Sequence, residues 1–497
     1  MTALGWRTLG SLPGTVDVPG YDRFACKVGI VHFGVGAFHR SHQAMFVDRL
    51  LALGELDWAI CGVGVMEADR AMRDAMKAQD NLYTLVTVGT DGRSEARVIG
   101  SLAEYLYAPD DPQRVLDRLA APSTHIVSLT VTEGGYAVSD VTGEFEPQDP
   151  LTLADLATDG PPRSVLGFLV AGLQARRANG APAFTVMSCD NLAHNGDVAR
   201  TAVLGFARHK SPELAAWAAR HVSFPNSMVD RITPVTTDET RAAVREQLGV
   251  QDRWPVRSEA FCQWVLEDRF GDGRPPFERV GVQVVQDVGP YELMKLRLLN
   301  ASHQAMSYLG ILDGQTWVHQ VCRDELFVRF LLGYMRDEAV PTLAPVPGVD
   351  LDGYCDELIA RFASEAIRDA LARHVVDGSD RIAKFLLPVL RHQLARGADR
   401  RRAVLVLAAW STFLEERVAA GGPGAVDDRR RPQLAEVVVA ERESPGAFLS
   451  FEAVFGDLGR DDRLRSEFVA ARRTLAECGP RGAMAAIVGP PGTEASR

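Results

Sequence analysis

The chain has 497 residues, a formal net charge of −11, and 46% hydrophobic and 24% charged residues. That length exceeds one compact core and implies two or three domains, while the acidic balance argues against broad contact with nucleic acid or an anionic membrane. No apolar run of about 18 residues occurs, the start MTALGWRTLG lacks signal-peptide blocks, and the seven scattered cysteines contain no CxxC pair, so a cytoplasmic protein without disulfides or a thiolate zinc site is expected.

Residues 1–27 read as irregular, punctuated by Gly10, Pro13 and Pro19. Val28 to Phe33 is a short β-branched apolar run, Gly34-Val35-Gly36 a tight turn, and Ser41 to Leu53 has helical periodicity. Strand, glycine turn and helix in this order are those of a dinucleotide-binding unit, in which glycine lets the backbone approach a pyrophosphate. The third glycine of the usual fingerprint is missing, and His39 stands there. A second buried-type strand, Trp58 to Gly64, leads to Glu67 and Asp69, where a carboxylate would hydrogen-bond an adenosine ribose. The same two carboxylates also suit a helix start.

Leu82 to Val88 and Ser94 to Ile99 flank Asp91-Gly92 and predict a hairpin. The strand HIVSLTVT ends at Glu133, and AFTVMSCD ends at Asp190-Asn191, where a turn or helix cap is the simpler reading. Phe224 to Pro234 reads as bracing, with Asp230-Arg231 as an exposed ion pair. A last strand begins at Val280, and Pro290 marks a domain boundary. Beyond it the pattern is helical over 291–310, about 324–337, 352–372, 380–396, 401–420 and 464–478. The tail GPPGTEASR reads as disordered. The expected domains are therefore a dinucleotide-binding domain over 1–289 and a mainly helical domain over 290–497.

The segment Tyr291 to Gly310 carries the densest chemistry. At about 100° per residue, Lys295, Glu292, His303 and Asn300 fall near 0°, 60°, 80° and 140° on one broad face of a helix. A polar face meeting water is the plainer account of such residues. If the first domain holds a nicotinamide, hydride transfer from a secondary alcohol needs a base and donors for the developing carbonyl oxygen. Lys295 can be that base if desolvation or a neighbouring cation lowers its pKa from about 10.4 toward neutrality. Asn300 and Asn191 are neutral N–H donors, and His303 can fix another hydroxyl. No HExxH or cysteine spacing suggests a metal, and none is expected.

Five ordered segments, GVGAFHRSHQ (34–43), TVTEGGY (130–136), SCDNL (188–192), FPNSMVDRITP (224–234) and YELMKLRLLNASH (291–303), together resemble the polyol-specific long-chain dehydrogenases, over nearly the whole length. The resemblance implies an α/β fold, a Rossmann-type N-terminal domain followed by a mainly α-helical C-terminal domain. It also implies a metal-independent, NAD-dependent enzyme that is monomeric and acts on a small-molecule polyol and its ketose, mannitol and fructose first among them. It makes Lys295 the base, Asn191 and Asn300 the oxyanion pair and His303 a substrate-positioning group, with Glu292 and Glu133 at acidic positions of proton passage and site electrostatics. Asp230 matches a substrate contact, and Arg373 and Arg381 match polar substrate positions, although Arg381 stands where a lysine is expected. Gly34, Gly36, Ala37, Phe38, Arg40, Glu67 and Asp69 are the expected cofactor contacts. Asp69 favours NAD by repelling a 2′-phosphate, against the neighbouring Arg70. The family also includes reductases of fructuronate and tagaturonate and dehydrogenases of arabinitol and sorbitol. Arg373 and Arg381, if unpaired, would suit a uronate; if braced by Asp377 and Asp380, they would leave the polyol reading. A non-catalytic nucleotide-binding protein of this fold would be expected to lose Lys295, Asn191 or Asn300, and all three are present.

Overall fold

The computed structural model describes residues 2–139 and 142–489, and it divides into two compact units, residues 1–289 and 290–497. Residues 490–497 of the tail read as disordered lie outside the described residues.

The first unit is built on a five-stranded sheet: β1 (Val28–Phe33), β2 (Ala59–Gly64), β3 (Leu102–Tyr107), β4 (Ile126–Leu129) and β5 (Thr185–Ser188). Their order is β3-β2-β1-β4-β5 and every pairing is parallel. This is the Rossmann arrangement, reversing direction between β1 and β4, where ligands bind beyond the carboxyl ends of the strands. β1, β2, β4 and β5 are buried residue by residue because helices cover both faces. Helices Pro112–Ala120, Val165–Ala178 and Asn195–Lys210 contribute to the core on one face; Gln43–Ala52 and Asp69–Ala78 contribute to the other. Their starts are fixed locally. Asp111 and Ser164 each accept a backbone N–H three residues ahead, and Pro112 sits in the first helical turn.

The hairpin expected around Asp91-Gly92 forms: Tyr83–Val88 pairs antiparallel with Ser94–Ile99, with Gly92 at positive φ. It lies in a mixed sheet with Val16–Asp17 and Val256–Glu259, and a third sheet joins Ser227–Asp230, Gln263–Glu267 and Gln283–Val285. The helix read from Ser41 onward begins earlier and breaks. It runs Ala37–Ser41, then Gln43–Ala52, with His42 non-helical (φ −113°, ψ −95°) between them.

The second unit is helical. Arg401–Gly421 and Asp462–Val488, the latter broken at Gly479 (φ 66°, ψ 178°) ahead of Pro480, are its longest helical stretches and pack on each other and on Ala301–Leu312. The expected helix 352–372 stops at Phe362, and Arg368 there adopts φ +51°. A further helix, Arg431–Glu443, escapes a periodicity reading because Val437, Val438 and Val439 give it a β-like run. Among the described residues, no helix is long and apolar enough to cross a membrane.

Candidate functional site

In the first unit the site residues gather at the carboxyl ends of β1, β2, β4 and β5. Gly34 leaves β1 at φ +92°, and a Cβ there would lie 2.1 Å from the Thr130 carbonyl oxygen. Only glycine allows the turn after β1 to cross the end of β4 this closely. Thr130 Oγ1 donates to Gly34 O at 2.7 Å and closes the crossing. Above Gly36, by contrast, the nearest atom to a Cβ is Gly34 O at 3.8 Å, which leaves the backbone open to a ligand.

Ala37 and Phe38 follow half-buried. Arg40 is wholly buried: it bonds Gly36 O at 3.3 Å and Trp254 O, and lies 5.2 Å from the Tyr83 ring centroid. Its guanidinium holds the glycine turn from behind. His39, in the place of the third glycine, is buried and stacked on His32 at 3.5 Å. Burial drives the His32 imidazole down to about 3 and His39 well below its ordinary range, so both rings are neutral at pH 7.

After β2, Asp69 Oδ2 accepts the N–H groups of Val65 and Met66, both at 2.9 Å, which folds the carboxylate back over the strand end. Arg70 is held by Glu67 at 2.9 Å, and Glu67 also accepts from Tyr107 Oη at 3.2 Å. The loop after β4 carries Glu133 and the loop after β5 carries Asn191, both exposed.

Two expectations are corrected here. The chain does turn at Asp190-Asn191, with Leu192 N donating to Asp190 O at 2.9 Å, but Asp190 does not cap the helix that follows; Asn226 does, its Oδ1 accepting from Gly196 N (2.8 Å) and Asp197 N (3.1 Å). The pair Asp230-Arg231 is not exposed. Both are buried, and Arg231 donates to Glu259 O at 3.0 Å and to Ser41 O. Asn195 and Asn226, unremarked in the sequence, tie the segment carrying Asp230 to the end of β5: Asn195 Nδ2 donates to Asp190 O and Ser227 O, and Ser227 N donates to Asn195 Oδ1. Asparagine before or after a strand is too common to have signalled this.

In the second unit the helix expected over 291–310 exists, but not as a regular α-helix. It runs α over Gly289–Met294, π over Lys295–Asn300 and α again over Ala301–Leu312. The π turn bonds i to i+5, so side chains five apart draw toward one face, and the wheel angle read from α geometry overstates the separation of Lys295 and Asn300. Glu292, Lys295, Asn300 and His303 are all buried, which rules out the solvated polar face. Asn300 Oδ1 and His303 Nε2 have no hydrogen-bond partner among the described residues. Buried polar groups of this kind ordinarily find one, so both point to a ligand.

His303 stacks on His374 at 4.0 Å and lies 4.7 Å from the Phe362 ring. Burial, then His374, Arg373, Arg361 and Arg381 hold the His303 imidazole well below its usual range, so it is neutral. His374 Nε2 meets Asp369 Oδ2 at 2.9 Å, and Arg373 also pairs with Asp369, at 3.2 Å. Of the two alternatives for Arg373 and Arg381, bracing through Asp377 and Asp380 does not form. Asp380 is taken by Arg429 and Arg430, and Asp377 accepts from Arg429 N. Arg381 makes no side-chain hydrogen bond or ion pair among the described residues, although its charge is felt at His303 and Tyr308.

The two units match two family models, the mannitol dehydrogenase Rossmann domain over residues 28–279 and the mannitol dehydrogenase C-terminal domain over residues 287–476. The chain belongs to the mannitol dehydrogenase family. Within it, the chain is 47% identical to a mannitol 2-dehydrogenase of Phaeosphaeria nodorum, covering 95% of this chain and 83% of that one. Among solved structures it is similar to Pseudomonas fluorescens mannitol 2-dehydrogenase in ternary complex with NAD and D-mannitol: TM-score 0.88, 43% identity, 98% and 99% of the two chains. It is also similar to a substrate-free D-sorbitol dehydrogenase, with TM-score 0.89 and 39% identity over 97% and 100%.

Proposed function

We propose that this member of the mannitol dehydrogenase family is an NAD-dependent polyol dehydrogenase that interconverts a polyol and its ketose, D-mannitol and D-fructose above others, with Lys295 as general base and no metal. The observation that carries the reading is the π-turn helix, which buries Lys295 and leaves Oδ1 of Asn300 and Nε2 of His303 without partners among the described residues.

The first unit fits the cofactor. Gly36 offers open backbone, and Asp69 stands where a ribose is hydrogen-bonded. Arg70, the one feature that favoured a 2′-phosphate, is neutralised by Glu67, which supports NAD over NADP. Ala37 and Phe38 follow the open glycine and complete the cofactor contacts, while Arg40 acts by holding the turn. NAD, when bound, accepts the hydride. Lys295 takes the hydroxyl proton, and neutral Asn191 and Asn300 donate N–H to the oxygen as it becomes a carbonyl. Glu292 and Glu133 pass the proton on. His303, kept neutral, hydrogen-bonds a hydroxyl without adding charge, and Asp230 accepts from another.

His303, Asp369 and His374 bring possible ligand atoms within 4.8 Å of one another. Two imidazoles stacked nearly parallel, at 13°, direct their in-plane lone pairs side by side rather than at one ion, and three arginines surround them. Both features disfavour a cation there and support the metal-free mechanism.

The uronate reading rests on Arg381, whose guanidinium has no ion-pair partner among the described residues. Arg373 is committed to Asp369, so a two-arginine clamp for a carboxylate is not preformed, and the polyol reading stands ahead. The test is a single assay panel, NADH oxidation with fructose, xylulose, fructuronate and tagaturonate at equal concentration, repeated with EDTA and with Lys295→Ala. Fructose turnover insensitive to EDTA, and a loss of at least about 10²-fold in Lys295→Ala with NAD binding retained, are expected. Activity confined to the two acids would overturn the substrate, and abolition by EDTA would overturn the mechanism.

A further inference from the structure

One buried carboxylate in the first unit has no part in the roles above. Asp190 is 8% exposed, and no cation pairs with it among the described residues. Its charge is met by donors from the neighbouring loop: Val131 N to Oδ2 (2.9 Å), Thr132 N to Oδ1 (2.9 Å) and Tyr136 Oη to Oδ2 (2.7 Å). Tyr136 Oη also meets Ser188 Oγ at 2.7 Å, which ties the loop to the last residue of β5. Burial raises the Asp190 pKa against these bonds. Leaving a buried charge without a counter-ion is costly, so a carboxylate kept at such a site calls for a reason beyond packing.

What the carboxylate holds is a backbone no free threonine would adopt. Thr132 has φ +63° and ψ 170°, a region essentially reserved for glycine. The next residue is Glu133, and the residue after Asp190 is Asn191. The strained turn therefore aims the chain that carries Glu133, and one carboxylate locks it to the chain that carries Asn191.

We infer that Asp190 is a positioning residue: by accepting from Val131, Thr132 and Tyr136 it clamps the strained turn at Thr132 and so sets the placement of Glu133 and Asn191 for hydride transfer. This rests on the catalytic reading of Asn191 and Glu133 given above. An amide cannot replace the carboxylate. In Asp190→Asn the side chain would present an NH2 to one of the two backbone N–H donors, losing that bond and setting donor against donor.

The experiment compares wild type, Asp190→Asn, Thr132→Gly and the double variant Asp190→Asn/Thr132→Gly, with Asn191→Ala as control. Each is measured for kcat, KM for polyol, KM for NAD and melting temperature. Asp190→Asn is expected to lower kcat by about 10²-fold, the cost of misplacing a reacting group by about 1 Å, with KM for NAD within about 2-fold. Glycine adopts the turn without a clamp, so the double variant is expected to recover about tenfold in kcat over Asp190→Asn. Folded Asp190→Asn with wild-type kcat, or a double variant with no recovery, overturns the inference. Should Asp190→Asn not fold, Tyr136→Phe removes one donor to Oδ2 together with the contact to Ser188 Oγ; a kcat loss there that Thr132→Gly relieves supports the clamp, and an unchanged kcat overturns it. Full activity in Asn191→Ala would instead overturn the catalytic reading on which the inference stands.

Discussion

Two glycines two residues apart do different work, and substitution separates them. At Gly34 a side chain meets the Thr130 carbonyl at 2.1 Å and a φ of +92°. The φ alone costs an alanine about 1–2 kcal/mol, and backbone on both sides prevents relief of the contact. At Gly36 nothing but Gly34 O comes within 4 Å of a Cβ. Gly34→Ala is therefore expected to lower the melting temperature and the yield of folded protein. Gly36→Ala should leave stability within about 0.5 kcal/mol, as for a surface change, while weakening NAD binding. Thermal unfolding and NAD titration of the two variants check this. Equal stability losses would remove the claim that Gly36 faces the cofactor.

At the level of elements, the π turn over Lys295–Asn300 is the departure from regular structure that matters most for chemistry. It inserts one residue into a helix otherwise α on both sides. Inserting one alanine after half-exposed Leu296 would overfill the turn and should swing Asn300 and His303 by about 100° relative to Lys295. A kcat/KM loss of at least about 10²-fold is expected, with NAD affinity retained because its residues lie in the other unit. Near-normal turnover in the insertion variant would show that the phase of Asn300 and His303 against Lys295 does not set the rate.

Across the whole molecule, buried neutral imidazoles set an acid limit. His32, His39, His303 and His374 are all depressed, chiefly by burial. Above the unfolded value of about 6.5 both states are neutral; below it the unfolded chain binds protons that the fold refuses, and stability falls. For His32, whose pKa is driven down to about 3, the window runs from pH 6.5 to 3, and the loss reaches about 5 kcal/mol at its end. Glu338 works the other way. Its carboxylate accepts from Arg402 N and Ala403 N, yet burial pushes it up to about 7, so its contribution is present below about 4.5 and lost as pH rises through 7. Asp48, Asp190 and Asp252 are raised by burial too and act in the direction of Glu338, but from the lower starting range of an aspartate, so the four imidazoles dominate and the melting temperature is expected to drop as pH falls from 6.5 to 5. Glu338→Gln should steepen that drop. A melting temperature flat or rising over this range would show that the imidazoles are not buried neutral.

The residues of the proposed site are local in sequence wherever their chemistry needs only local geometry. The glycine turn after an apolar β-branched run, the acidic residues after the second strand and the Lys, Asn and His of one helix follow from short-range sterics and periodicity, and so does the alternation that yields a Rossmann sheet. What sequence spacing could not supply were the partners brought from elsewhere in the chain. The π turn has no compositional signature, since its stretch KLRLLN reads as ordinary helix. The exposure expected for Asp230-Arg231 was reversed because two other strands close over that segment. The pairing of Arg373 with Asp369, and of Asp380 with Arg429 and Arg430, depends on which charges the helices bring within 4 Å, and several cations compete for each carboxylate. Asp190 shows the division most clearly. Its position next to Asn191 is read directly from the chain, but its function as a clamp exists only because parallel pairing of β4 with β5 sets the Thr132 turn beside it.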